Sequence, residues 1–462
     1  SKNYNDDYQS HGIVTYGYGT DISINSSGPI TSENRGVFAV NHGSGNTSIS
    51  LSERVLAGNG DLAADSSSIG VYVKNESSAE DIFVSINDVS SASDAIFVKN
   101  EGYGKTQVIS NGKIKGGNGV LDQTLNIDGV LAFNEDTATD LIITVKEVSG
   151  LDDGIYALNE GKGKLSINVK GEVESRSIDF SDEDRSHGIA AYNYGTNVSV
   201  NSSSTINSEN KGVFIWNHGS GNSNVTLTKK VTAGKGDLAL SGFSNGIQVK
   251  NDSSAENIIV SVDDISAARY GINLFNEGYG KTQIVSTGKI IGGDDVLDKT
   301  QSASDGIYVR NSETATDIII TVKDISGLDD GIYTLNEGTG KISITLTGNV
   351  ESRSTDFSDD DYSYGIVADN FGSDVYVNSS GNITSENRGV FVWNDGSGNS
   401  NISVTGNVIA GKGDLAGSNS SHGIYVENMS SSEDIIVSSN DVSAASHGVR
   451  LINRGFGKTQ IV

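Results

Sequence analysis

Apolar and polar residues alternate in short bursts along this chain, and nearly every burst opens on a glycine. GIVTY at 12–16, GVFAV at 36–40, GVYVK at 70–74 and GIYAL at 154–158 show the pattern. Ile or Val follows the opening residue, and a small or aliphatic side chain stands two positions later. A period of two predicts a strand with one buried face. The bursts open at residues 12, 36, 70, 95, 129, 154, 188, 212, 246, 271, 306, 331, 365, 389, 423 and 448, and Ala95 alone departs from Gly. A second apolar segment follows, as in DIFVSI at 81–86 and LIITV at 141–145. A third carries Ile or Val 18 or 19 residues after the opening residue, from Ile30, Val55 and Val89 to Val442. Three strands per unit and sixteen units predict stacked rungs: an all-β parallel β-helix.

The fifth residue after the opening position is Asn in fifteen of sixteen rungs, Asn41 and Asn75 through Asn453, with Gly17 the exception. Asn tolerates a left-handed turn, and stacked Asn side chains can bond rung to rung, so a structural role is expected. The opening Gly is expected at a corner where a Cβ would clash. A second period of about 176 residues lies over the first: SENRGVF at 32–38 returns as SENKGVF at 208–214 and SENRGVF at 385–391. Six rungs make one long repeat, giving 12–187, 188–364 and an incomplete 365–462. Alternate rungs carry about ten extra residues, at 57–69, 115–128 and 174–187 and their copies, which predicts loops on one edge. One continuous solenoid over 1–462, with right-handed winding as the expected hand, replaces the three domains that length suggests. At the strand spacing of about 4.8 Å, sixteen rungs would extend roughly 75 Å.

Composition agrees, with one Pro (Pro29), no Cys and 57 Gly among 462 residues. A formal charge of -27 makes nucleic acid and anionic lipid improbable partners and basic protein surfaces plausible ones. No apolar run approaches about 18 residues, so no membrane insertion is expected. The closing GKTQ at 457–460 runs on into another strand in its copies at 104–107 and 280–283, so the repeat is expected to continue.

Candidate chemistry follows the repeat, whereas a catalytic constellation should be singular. GYGKT at 102–106 and 278–282 lacks the first Gly of a phosphate loop, since Lys99 and Phe275 stand there. Asp81, Asp140, Asp317 and Asp434 recur at one corner before the second strand. The six His residues also follow the period, with no Ser-His-Asp or His-carboxylate arrangement apart from it. Asp179, Asp182, Glu183 and Asp184 crowd one loop, and Asp356, Asp359, Asp360 and Asp361 crowd its copy. Such loops can hold calcium, but the nine-residue calcium repeat is missing and a solvated loop is the simpler reading. No enzymatic activity, metal or cofactor is expected.

One feature resists this account. Positions two and four after the opening residue should face outward, yet they hold Phe38, Tyr72, Phe97, Tyr156 and Phe214, then Tyr16, Phe133, Tyr192, Trp216 and Trp393. Stacking of neighbouring rungs on the sheet surface is one reading, and a protein-binding face is the other. On the second, Phe214/Trp216 and Phe391/Trp393 are the candidate contacts, flanked by the acidic loops 179–184 and 356–361; the first copy has Phe38 and Val40 and lacks the Trp.

An acidic, Cys-free, Gly/Asn/Ser-rich chain with the G-[IV]-x-x-x-N rung resembles the passenger domain of a bacterial type V autotransporter. The duplicated SENRGVF, NHGSGN and EGYGKTQ blocks are similar to those of the Bartonella angiogenic factor family. That resemblance implies a secreted or cell-surface virulence factor, monomeric, that binds a host receptor on endothelial cells, a vascular endothelial growth factor receptor. The alternatives are a surface adhesin or self-associating rod and, more distantly, a polysaccharide-degrading enzyme.

Overall fold

Each rung forms its strands where the alternation places them. In the third rung these are Val71–Asn75, Ile82–Ile86 and Val89–Ser91, with buried and outward residues in turn. The computed structural model describes residues 10–58, 68–120, 125–177, 186–234, 244–294, 304–353, 363–411 and 421–462. Among them are 47 strands and no helix, the all-β parallel β-helix that the pattern predicts.

The chain divides into two units, residues 1–229 and 230–462. In the first, the first strands of rungs 1–8 pair in sequence from Ile13–Gly17 to Val213–Asn217, the second strands from Ile22–Ser26 to Ser223–Leu227, and the third from Ile30–Ser32 to Ile206–Ser208. In the second, three sheets of the same kind run from Ile247–Asn251 to His447–Asn453, from Ile258–Val262 to Thr459–Ile461, and from Val231–Ala233 to Val442–Ala444. Pairing is parallel and position-matched, as in Ile155↔Ile189 and Asn159↔Asn193, or Ile307↔Ile332 and Tyr308↔Tyr333. The inward positions and the Asn position therefore become columns of like side chains.

Inside run the aliphatic columns, with Val213, Ile215, Ile332 and Ile344 fully buried. The opening glycines line a corner packed against the next rung. A Cβ on Gly331 would lie 2.5 Å from the Gly365 carbonyl oxygen and 2.4 Å from a Val350 methyl carbon. No side chain fits there without moving backbone.

The Asn column is a ladder, as expected, but its backbone is not left-handed. Among the described non-glycine residues only Ser186 has a positive φ (66°). Each ladder Asn ends a strand, and its side chain does the work. Asn336 Nδ2 donates to Asn370 Oδ1 at 3.0 Å and Asn370 Nδ2 to Asn394 Oδ1 at 3.0 Å; Asn134, Asn159, Asn193 and Asn217 form the same chain in the first unit. Nδ2 also donates to a carbonyl of the following turn, Gly398 for Asn394 and Gly45 for Asn41. Buried amides call for partners, and these bonds supply them from rung to rung, while Oδ1 of Asn134 and of Asn336, the first member of each run, has none.

Candidate binding surface

Where position two is aromatic, neighbouring rungs build stacks of rings on the outside of the first sheet. Phe38, Tyr72 and Phe97 lie face to face at 4.9 and 4.8 Å, Tyr308 and Tyr333 at 5.2 Å, and Phe391 and Tyr425 at 5.4 Å. A cation from the residue before the opening Gly covers three of these columns. Arg35 lies 4.7 Å above the Phe38 ring, Lys211 4.8 Å above Phe214, and Arg388 4.9 Å above Phe391. That geometry accounts for SEN[RK]GVF being repeated three times: basic residue, corner Gly and Phe make one cation–π lid.

Phe214 therefore differs from the expectation. It points away from the core, but Lys211, Tyr192 at 5.4 Å and His187 at 5.5 Å close over it and leave it 7% exposed. It is not available to a partner. Phe391 is half-buried between Tyr364, Arg388 and Tyr425. Phe214→Ser is expected to cost at least about 2 kcal/mol, since it removes a covered ring and its cation contact. Phe83, on the outward face of a second strand, is the control: Phe83→Ser should cost under about 1 kcal/mol. Urea unfolding of the two variants checks the difference.

Position four is covered less evenly. Trp216 is half-buried against His218 at 4.5 Å, which stacks on Tyr194 at 4.3 Å. Trp393 is 37% exposed; its register neighbour is Asp369, and Phe371 lies exposed one residue past the ladder Asn370. Burial, with Asp395 and Glu337 nearby, pushes the Asp369 carboxyl up to about 6. The first copy is not bare: Tyr16 and Tyr18 are exposed there and stack on His42 at 6.2 and 4.7 Å, while Val40 is buried at the Trp position. Aromatic residues are thus exposed at corresponding places on rungs 1–2, 7–8 and 13–14, packed on a His in the first two and with Asp395 in its place in the third. The acidic clusters Asp179, Asp182, Glu183, Asp184 and Asp356, Asp359, Asp360, Asp361 lie outside the described residues.

The recurring corner acids cap backbone. The Lys105 N–H donates to Asp81 Oδ1 at 2.8 Å, Lys164 to Asp140 at 3.0 Å, Lys341 to Asp317 at 2.9 Å and Lys458 to Asp434 at 2.6 Å. The GYGKT turns follow from this, because a Cβ on Gly104 would fall 2.3 Å from Asp81 Oδ1. Two His–carboxylate pairs that sequence reasoning missed do form, His42 Nδ1 with Glu76 Oε2 at 2.9 Å near the surface and His187 with Asp153 inside. His187 Nδ1 lies 3.1 Å from Asp153 Oδ1, and Lys211 Nζ lies 3.4 Å from Nε2. Both His187 and Asp153 are buried, which closes the pair to any substrate in this conformation. Among the described residues no three His, Asp or Glu side chains gather as metal ligands.

Sequence reasoning also missed the most exposed aromatics. Tyr18, Tyr103 and Tyr194 in the first unit, and Tyr279, Phe371 and Phe456 in the second, stand on the turn after the first strand. They fall on rungs 1, 4 and 7, then 10, 13 and 16, one every third rung. The legible signal was an aromatic one or three residues past the ladder position in a Gly-rich turn, as in NYGT and EGYGK. Against protein families, curated proteins and solved structures, this chain finds no match.

Proposed function

We propose that this chain is a secreted bacterial solenoid that binds a protein receptor on host cells through its recurring aromatic patches. Its resemblance to the angiogenic factor family points to a vascular endothelial growth factor receptor as the target. The observation that carries this reading is the exposure of Trp393 and Phe371 on rungs 14 and 13, at the positions where Trp216 and Tyr194 each pack on His218. Trp, Tyr and His clusters in a polar surround are what protein interfaces use as anchors. A charge of -27 would speed encounter with a basic receptor surface.

Repetition suits receptor pairing. Within residues 1–229 two patches, at Tyr16/Tyr18/His42 and Tyr194/Trp216/His218, stand six rungs apart, about 29 Å at the strand spacing. A second receptor chain held beside the first binds at high effective concentration. The test is surface plasmon resonance on the receptor ectodomain, with receptor phosphorylation in endothelial cells. Trp216→Ser with Trp393→Ser should weaken binding at least about tenfold and abolish phosphorylation, with the far-UV spectrum unchanged. Binding that survives the double substitution would assign the receptor contact elsewhere.

A further inference from the structure

The third sheet of residues 1–229 carries a groove that the receptor reading does not use. Over rungs 2–4 an open space of about 370 Å³ lies between Arg54, Asp88, Ser90, Lys113, Lys115 and Asn118. Strand register builds it. Lys115 ends the third strand Lys113–Lys115 and pairs with Ser90 of the rung before. Arg54 and Asp88 each stand one residue ahead of Val55 and Val89, which pair with each other. Three cations and one acid thus meet in a chain that holds 59 acidic residues and 32 basic ones.

In so acidic a chain a cation ordinarily finds a carboxylate. The outward cations of the first sheet do: Glu101 takes Lys74 and Lys99, Asp252 takes Lys250 and Glu337 takes Arg310. Around the groove the acids are otherwise occupied. Asp88 Oδ1 accepts the Lys113 backbone N–H at 2.7 Å, and Glu147 takes the Lys113 ammonium. Among the described residues, the Arg54 guanidinium, the Ser90 hydroxyl, the Lys115 ammonium and the Asn118 amide have neither an ion pair nor a hydrogen bond. Burial, with Arg176 and Lys113 nearby, draws the Lys115 amine below its usual range against the pull of Glu174. The groove is a positive spot without its counter-charge.

We propose that this groove binds the phosphate or sulfate ester group of a small ligand. Such a group presents several acceptor oxygens, and the guanidinium fork, the two ammoniums, the hydroxyl and the amide all donate. A neutral ligand would leave Arg54 and Lys115 unanswered, and a cationic one would meet like charge. A nucleic-acid duplex or an anionic membrane would press further charges against the acidic remainder of the chain, so one isolated group fits better. The volume suits a ligand of metabolite or monosaccharide size.

The long repeat supplies an internal control. At the corresponding places on rungs 8–10 stand Lys230, Ser266, Lys289, Ile291 and Asp294. The strand pairing is the same, with Ser266 opposite Ile291. Ile291 removes one cation, Asp294 adds an acid, and the Ser266 hydroxyl donates to Asp294. In the third copy Asn407 takes the place of Arg54. The fold therefore forms without Arg54, Lys115 or Asn118 at these places. Unlike the recurring corner acids, the cluster occurs once, as a site for one ligand should.

The experiment is calorimetric titration of the full chain with phenyl phosphate, phenyl sulfate, benzoate and phenol. At least one of the two esters should bind, one per chain, with Kd below about 1 mM, and which of them binds identifies the source of the group. Benzoate and phenol should bind at least about tenfold more weakly. Lys115→Ile and Arg54→Asn should each weaken ester binding at least about tenfold at unchanged melting temperature, and Lys115→Arg should keep it within about threefold. Ile291→Lys with Asp294→Asn should raise the stoichiometry from one to two. Trp216→Ser with Trp393→Ser should leave ester affinity intact, which separates failure of the receptor reading from failure of this one. The assignment is overturned if neither ester binds, if benzoate binds as tightly, or if both Lys115→Ile and Arg54→Asn leave affinity unchanged. A stoichiometry still at one in the Ile291→Lys, Asp294→Asn variant, or preference for a DNA duplex or an anionic vesicle, overturns it equally.

Discussion

Ile332→Asp is expected to abolish cooperative folding of residues 230–462. Ile332 opens the first strand of rung 12, is fully buried, and pairs with Ile307 on one side and Ile366 on the other. The substitution removes an aliphatic side chain whose loss costs about 2–5 kcal/mol. It also places a carboxylate among methyl groups, a further several kcal/mol with no cation to offset it. Together these approach the about 5–15 kcal/mol that holds an ordinary domain together. Val213→Asp should act alike on residues 1–229, where Val213 is equally enclosed. Ser343, half-buried on the outward side of a second strand, is the control, and Ser343→Asp should stay within about 1 kcal/mol. Far-UV circular dichroism during urea unfolding reads all three. If Ile332→Asp retains a native transition, the column of opening-strand aliphatics is not the source of cohesion.

Acidification from pH 8 to pH 5 is expected to raise the melting temperature. Before the opening residues of rungs 4–6 the carboxyls form a buried chain: Asp94 Oδ1 accepts the Asp128 N–H at 2.9 Å, Asp128 the Asp153 N–H at 3.0 Å, and Asp153 the His187 N–H at 2.6 Å. Burial pushes Asp94 up to about 6. Burial and the neighbouring Asp153, Asp94 and Asp152 carry Asp128 well above the ordinary range, as burial and Asp329 carry Asp305. An acid whose folded pKa is raised binds a proton that the unfolded chain has released. Its contribution is complete below 3.8 and is lost as pH rises through the folded value, between 3.8 and about 6 for Asp94 and over a higher window for Asp128 and Asp305. For Asp94 that loss is about 3 kcal/mol. Reduced self-repulsion from the charge of -27 acts in the same direction, so a variant must separate the two. Asp128→Asn keeps an acceptor oxygen for the Asp153 amide, and should stabilise the protein at pH 8 and flatten the pH slope. A melting temperature that falls on acidification, or an unchanged slope in Asp128→Asn, contradicts the account.

The rungs were legible because their signal is redundant: a period of two, sixteen times over, outweighs any single ambiguous strand. Side-chain roles were legible less evenly. The Asn column was read correctly as a ladder, but its expected left-handed backbone was not needed, since strand-end Asn side chains reach both the next rung and the turn. SEN[RK]GVF was visible three times, yet sequence gives no sign that Arg35, Lys211 and Arg388 fold over the rings three residues on. A covered ring and an exposed one look alike in a period-two pattern, which is why the covering of Phe214 and the exposure of Trp393 could not be told apart. The buried carboxyl chain was hidden for a related reason. Asp beside a turn ordinarily faces water, and only stacking of rungs encloses Asp128 and Asp153.

The corner carboxylates also give the coil a polarity. At Asp81, Asp140, Asp317 and Asp434 the acceptor belongs to the earlier rung and the amide it caps to the later one. A rung laid down toward the C-terminus thus finds its acceptor waiting, whereas one added at the other end must supply acceptors to amides already placed. Loss of later rungs bares carboxylates that water solvates readily; loss of earlier ones strands amides at a covered turn. A duplication that copies whole rungs carries this donor–acceptor phase with it, and one that cuts between the corner acid and its partner breaks it. Growth by blocks of complete rungs, as in the 176-residue repeat, is the form of lengthening this architecture tolerates.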